Sequence, residues 1–155
     1  MYPILLFSHS LTRWLVLIAL LTILVRSYYG WLKGKSYTAA DNKLRVISLS
    51  VFHIQAAMGI ILYSISPIID YFFNNFNTAV HEREVRFFGM EHSLMMFISL
   101  AIITVAAISS KKKTTDKEKF KTLAIWLTVA LVIILFSIPW SFGNITANRP
   151  LFRAW

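Results

Sequence analysis

Four stretches of the chain are long and apolar enough to cross a bilayer, and no other feature restricts its fold as strongly. They cover approximately residues 4–29, 46–65, 87–109 and 122–140, the first containing the run WLVLIALLTILV. Each reaches the roughly 17 to 25 residues a membrane helix needs, and none shows the period-two polar alternation of an outer-membrane strand. Composition agrees: 57% of the residues are hydrophobic and 15% charged, a balance that disfavours a water-soluble globular domain. The fold class expected is all-α, an integral membrane four-helix bundle of up-down-up-down order. Gly30 and Gly34 mark the end of the first span, Pro67 that of the second, and Pro139 with Trp140 that of the fourth. With no repeat and no low-complexity linker, residues 1–155 read as one membrane domain.

Charge sets the expected orientation. Lys33, Lys35, Lys43 and Arg45 outweigh Asp41 between the first two spans, and KKKTTDKEKFK joins the last two. Both loops belong in the cytoplasm by the positive-inside rule. The segment 66–86 is balanced, with Asp70, Glu82 and Glu84 against Arg83 and Arg86, and falls on the other face with both termini. The expected location is therefore an inner membrane of bacterial type, with both termini periplasmic. No basic segment precedes the first span and no small-residue cleavage site follows it, so it reads as a retained helix. The net charge of +9 is thereby explained without nucleic acid, and the lysine run as a solvated loop that can touch anionic headgroups. Trp14, Trp31, Trp126, Trp140 and Trp155 read first as interfacial anchors.

The absence of cysteine excludes disulfides, thiolate metal sites, iron–sulfur clusters and covalent CxxCH haem attachment. Metal chemistry must then use histidine, methionine or carboxylates. His9, His53 and His92 fall inside apolar spans, where ionisable groups are costly and point to function, whereas His81 lies in a polar loop. His9 precedes Arg26 by 17 residues, about 25 Å of helix, and His92 precedes Lys111 by 19, about 28 Å, so the two are level. His53 follows Arg45 by only eight residues, about 12 Å, and sits more than about 10 Å nearer the inner face. The first and third spans would occupy diagonal corners of the bundle, roughly 11 to 14 Å apart, a gap that two imidazoles with one iron between them can fill.

A haem held by His9 and His92 is the resulting expectation. Gly89, one turn before His92, would leave room for the macrocycle, and Met96 could line it. Arg13, one turn after His9, could pair with a propionate, as could Arg86, Arg149 and Arg153. The plainer alternatives are histidines that hydrogen-bond to Ser8, Ser93 or backbone carbonyls, and an Arg13–Glu91 salt bridge. His53 has no histidine or methionine partner at its own depth. It is open to a five-coordinate haem, a quinone hydrogen bond, or a structural bond to a helix carbonyl, Thr22 or Thr104.

At FSHSLTRW, HIQAAMG and MEHSLMMF the chain resembles small four-helix membrane cytochromes of the b type, including the broad cytochrome b561-like group. The resemblance covers the four-helix core and rests on histidine placement and helix count. It implies electron transfer with noncovalent haem b, His9 and His92 matching the axial ligands and His53 an extra ligand position. The fourth span lacks a histidine, which departs from a two-haem arrangement and leaves one outer-side haem.

Two function classes follow. One is a membrane cytochrome passing electrons between a quinol pool or membrane partner and an acceptor near the outer face, with quinone as a second candidate ligand. The other is a haem-free accessory bundle packed onto a larger respiratory or other membrane complex. Enzyme status stays open, with an electron-transfer protein or subunit favoured over an independent enzyme, and a hydrolase is disfavoured because no Ser-His-acid set, HExxH or Gly-rich phosphate loop is present.

Overall fold

The computed structural model describes residues 1–140, which are helical apart from short connections. The long helix α1 spans Tyr2–Leu32 and α2 spans Ala39–Ile65. Three short helices follow: α3 (Pro67–Asn74), α4 (Phe76–Ala79) and α5 (Arg83–Arg86). A π turn over Phe87–Glu91 leads into α6 (His92–Lys111), and α7 (Asp116–Ser137) completes the described chain. Four helical segments, Tyr2–Leu32, Ala39–Ile65, Arg83–Lys111 and Asp116–Ser137, are long and apolar enough to cross a membrane.

The helices overrun the apolar stretches that announce them. At 31 residues α1 is about 46 Å long, more than the roughly 30 Å of hydrocarbon in a bilayer, so its polar ends are helical too. It stops where Gly34 adopts φ +59° and the Lys35 N–H donates to the Gly30 carbonyl at 3.0 Å, a Schellman closure that needs a left-handed residue. Helix α2 starts seven residues before its expected apolar start at Val46. Thr38 accepts from the Asp41 N–H while the Thr38 N–H donates to the Asp41 carboxylate at 2.8 Å, a reciprocal cap the hydropathy pattern does not register. Thr115 caps α7, accepting from the Glu118 N–H, without the reciprocal backbone bond. Helix α7 ends at Ser137, short of the expected residue 140, because Pro139 forces Ile138 into an extended conformation (φ −76°, ψ 132°). The segment 66–86, read above as a loop, is mostly helical. Pro67 opens α3, and Phe72, 2% exposed, tucks its ring under the π turn.

The four long helices form a ring. Helix α1 packs mainly on α2 and α7, and α6 on the same two, so α1 and α6 face each other across the centre. Leu17, Leu20, Ile23 and Leu24 of α1 meet Phe52 of α2, Ile103 and Ala106 of α6, and Leu123, Leu127, Ala130 and Ile134 of α7. Ala106, Ala124 and Ala130 are wholly buried, which lets helix backbones come close and gain van der Waals packing, the contact that matters where lipid supplies no hydrophobic driving force between helices. The outward faces are the reverse of a soluble protein's: Ile18, Val25, Ile54, Phe97 and Phe136 are all more than half exposed.

At the end of the bundle that carries the lysine-rich loops, the Asp41 carboxylate receives Arg26 Nε at 2.6 Å and Nη2 at 3.0 Å, besides Thr38. Arg45, 7% exposed, donates to the Ala107 carbonyl at 3.1 Å and to Asn42 Oδ1 at 2.9 Å. Arg26 also stands 4.9 Å over the Phe120 ring, which lies against Gly30 where a Cβ would come within 2.5 Å. Burial raises the Tyr37 phenol above its ordinary range, against the opposing pull of Arg45. Trp14 packs on the core and meets Trp140 edge-on at 6.2 Å. Trp155 lies outside the described residues.

Candidate functional site

His9 lies on α1 between the Ser8 and Thr12 turns and His92 opens α6, so their helices approach the bundle centre from opposite corners. Both side chains line one cavity of about 260 Å³ in the half of the bundle away from the lysine-rich loops. Its α1 wall runs from Tyr2 to Val16, a height of about 21 Å. Half-exposed Ile60 of α2 and Phe97 of α6 stand at the rim, between the two neighbouring helices that touch most sparsely.

The two imidazoles are held differently. The Nδ1–H of His92 donates to the Ser137 carbonyl at 2.7 Å, a carbonyl at the end of α7. That bond fixes the tautomer and leaves Nε2 as the nitrogen with a lone pair, the arrangement metal-ligating histidines adopt. Phe87 and Phe88 pack around the ring at 5.7 and 6.1 Å between centroids. His9 rests on Gly59 of α2, where an added Cβ would lie 3.3 Å from Cε1. Its Nδ1 is buried with no hydrogen-bond partner among the described residues, a costly condition unless something binds there. Gln55 steadies this turn by donating Nε2–H to the His9 carbonyl at 2.9 Å and accepting the Thr12 hydroxyl through Oε1.

Arg13 and Met96 also line the cavity, the former with its guanidinium 5.5 Å from the Trp14 ring centre. Gly89 does not. The π turn adds a residue to the helical repeat and rotates Gly89 off the face of His92, so its missing Cβ makes way for Phe72, which a methyl would approach to 2.5 Å. The Gly89 carbonyl accepts the Tyr63 hydroxyl at 2.7 Å. The carboxylate offered above as a partner for Arg13 is engaged elsewhere: Glu91 receives Arg86 Nε at 2.7 Å, which also commits Arg86. Arg149 and Arg153 lie outside the described residues. Ser93 turns back to the Met90 carbonyl and holds neither histidine.

His53 lies away from this cavity, exposed on α2. Its Nδ1–H donates to the Leu49 carbonyl at 2.8 Å, and Nε2 is 3.4 Å from Thr104 Oγ1. Thr104 follows His92 by 12 residues on α6, about 18 Å of helix, so His53 belongs to a different level. His81 is exposed beside α4.

Gln55, Gly59 and the Ser137 carbonyl escape a reading of the sequence by depth. Gln55 and Gly59 bear on His9 only because α2 crosses α1 here, and a backbone carbonyl carries no residue-type signal.

Among the described residues no three His, Cys, Asp or Glu side chains converge. What the cavity offers a ligand is two imidazoles, largely apolar walls and one guanidinium. No protein-family model, curated protein or solved structure matches the chain.

Proposed function

We propose that the chain is a membrane electron-transfer protein of the b-type cytochrome kind, an up-down-up-down bundle with one noncovalent haem between α1 and α6. The observation that carries this reading is the pair of level histidines on diagonal helices, lining one cavity, His92 tautomer-fixed by a carbonyl and His9 with a buried unpartnered nitrogen. His9 and His92 would hold the iron and Arg13 a propionate carboxylate. When bound, haem supplies reversible one-electron chemistry. The chain's own residues do the rest: Ser137 orients His92, Gly59 and Gln55 seat the His9 turn, and apolar walls exclude water, which together tune the potential. Lysine-rich loops at the opposite end support an outer-side cavity, with both termini on that side, in an inner membrane of bacterial type.

The test is the absorption spectrum of detergent-purified protein, oxidised and then dithionite-reduced. A low-spin bis-imidazole spectrum is expected in the wild type. His9→Ala or His92→Ala should abolish it or lose the haem, and His81→Ala should leave it unchanged. Both single variants keeping wild-type haem content and spectrum would remove the pair as ligands. A wild type that stays colourless with ample haem supply would favour the accessory-bundle alternative.

A further inference from the structure

Four seams run down the ring of helices, and three of them are tied at the level of the large cavity. Gln55 of α2 bonds to the His9 carbonyl and to Thr12 of α1, His92 of α6 donates to the Ser137 carbonyl of α7, and Trp14 of α1 meets Trp140 just beyond α7. The end away from the lysine-rich loops is roofed by Ile68 and Ile69 of α3, beside the 3.4 Å contact of the Tyr2 hydroxyl with Ser66 Oγ. The floor is the buried pair Val16 and Phe52. The fourth seam, between α2 and α6, is different. The lining residues that are exposed are Ile60 and Ser64 of α2 and Phe97 of α6, so the cavity opens there. Ser64 gives its hydroxyl hydrogen to the Ile60 carbonyl at 3.0 Å, which leaves the rim without a polar hydrogen to offer. Ile60 follows Arg45 by 15 residues, about 22 Å of helix, and Phe97 precedes Lys111 by 14, about 21 Å. Both therefore stand at one level inside a hydrocarbon layer of about 30 Å, with acyl chains rather than water in front of them.

We propose that the α2–α6 seam is a lateral entrance from the bilayer: a lipid acyl chain fills the cavity of the haem-free protein, and the cavity's ligand arrives from the lipid phase and displaces it. A cavity with largely apolar walls takes an apolar guest in preference to water, and the guest within reach of this opening is a hydrocarbon chain. The roof of α3 and the tied seams leave the aqueous phases without a comparable approach. That the incoming ligand is haem rests on the cytochrome reading; the sideways opening and its acyl guest do not. The consequence is that the protein is loaded from a membrane-dissolved supply.

The experiment uses the full chain, prepared without haem, in phospholipid nanodiscs, with valine and methionine methyl groups labelled. Nuclear Overhauser contacts from lipid methylenes and from water are read at Val16 and Met96, which both line the cavity. Contact with lipid and none with water is expected at both. Val16 decides, since it is 5% exposed and lies at the cavity floor. Ile60→Cys with Phe97→Cys, in a chain otherwise free of cysteine, lets a reducible bifunctional thiosulfonate staple the seam. The staple should remove the lipid contact at Val16 and halt uptake of haem dissolved in the nanodisc lipid. Reducing the staple in the same sample should restore both, which separates a closed entrance from a misfolded chain. Water at Val16 in the wild type, or contact with neither water nor lipid, would overturn the entrance without recourse to any variant. So would a lipid contact that survives stapling, or haem uptake that proceeds undiminished past the staple. Failure of the haem reading is separately visible: a chain that never takes up haem, yet loses the Val16 lipid contact on stapling, keeps the entrance and loses only the haem.

Discussion

Two glycines near the histidines make opposite demands, and substituting each separates ligand geometry from fold. A side chain at Gly59 would press on the His9 ring, a Cβ alone reaching 3.3 Å from Cε1. Gly59→Val should therefore displace the imidazole and lower haem content or shift the reduced spectrum, with the helix content by circular dichroism preserved. At Gly89 the neighbour is the buried Phe72 ring, so Gly89→Ala should cost about 1 to 3 kcal/mol of stability through overpacking, read as a lower thermal midpoint. On the proposed haem reading, the spectrum should be unmoved. Depth counting from charged markers grouped His9 with His92, which line one cavity, and separated them from His53 beside Thr104, because helical rise is constant. Azimuth was not legible around Gly89, because a π turn leaves no residue-type signature and shifts the facing of everything before it. The pairing of Glu91 with Arg86 rather than Arg13 has the same origin, since Glu91 closes that turn.

The helices are set by hydropathy in their middles and by capping chemistry at their ends. Apolar runs find α1, α2, α6 and α7, but α2 gains seven residues through Thr38 and Asp41, whose hydrogen bonds count for nothing on a hydropathy scale. The helices α3, α4 and α5 are too short, at eight, four and four residues, to build a periodic signal, and are held by packing such as Phe72 beneath the π turn. Asp41 does double duty as cap and ion-pair partner, being 6% exposed while it receives both Arg26 and Thr38. Arg26→Met should thus cost about 1.5 to 3 kcal/mol, the loss of a charged hydrogen bond to a buried carboxylate. Thr38→Ala should cost about 1 kcal/mol through the cap. Because both changes act on Asp41, the double variant should lose less or more than the sum. Urea unfolding in detergent across the four combinations measures that coupling, and strict additivity would mean that cap and ion pair are independent.

For the molecule as a whole, orientation in the membrane follows from an asymmetry between its two ends. One end carries the lysine-rich connections, with Arg26, Asp41 and Arg45 buried or half-buried beneath them; the other carries the charge-balanced cap of α3 to α5 and the histidine cavity. By the positive-inside rule the first end would lie in the cytoplasm and the cavity in the outer leaflet, where, on the proposed reading, a haem would be open to an acceptor on the far side. The native chain is free of cysteine, so single cysteines report their location against no background. Asn75→Cys, at the exposed junction of α3 and α4, should react with a membrane-impermeant maleimide in intact cells. Lys113→Cys, exposed between α6 and α7, should react only after permeabilisation. The two positions must give opposite answers if the chain crosses the bilayer an odd number of times between them. Labelling of both from outside would dissolve the spanning bundle, and the reversed pattern would turn the cavity toward the cytoplasm and, on the proposed reading, move the acceptor to that side.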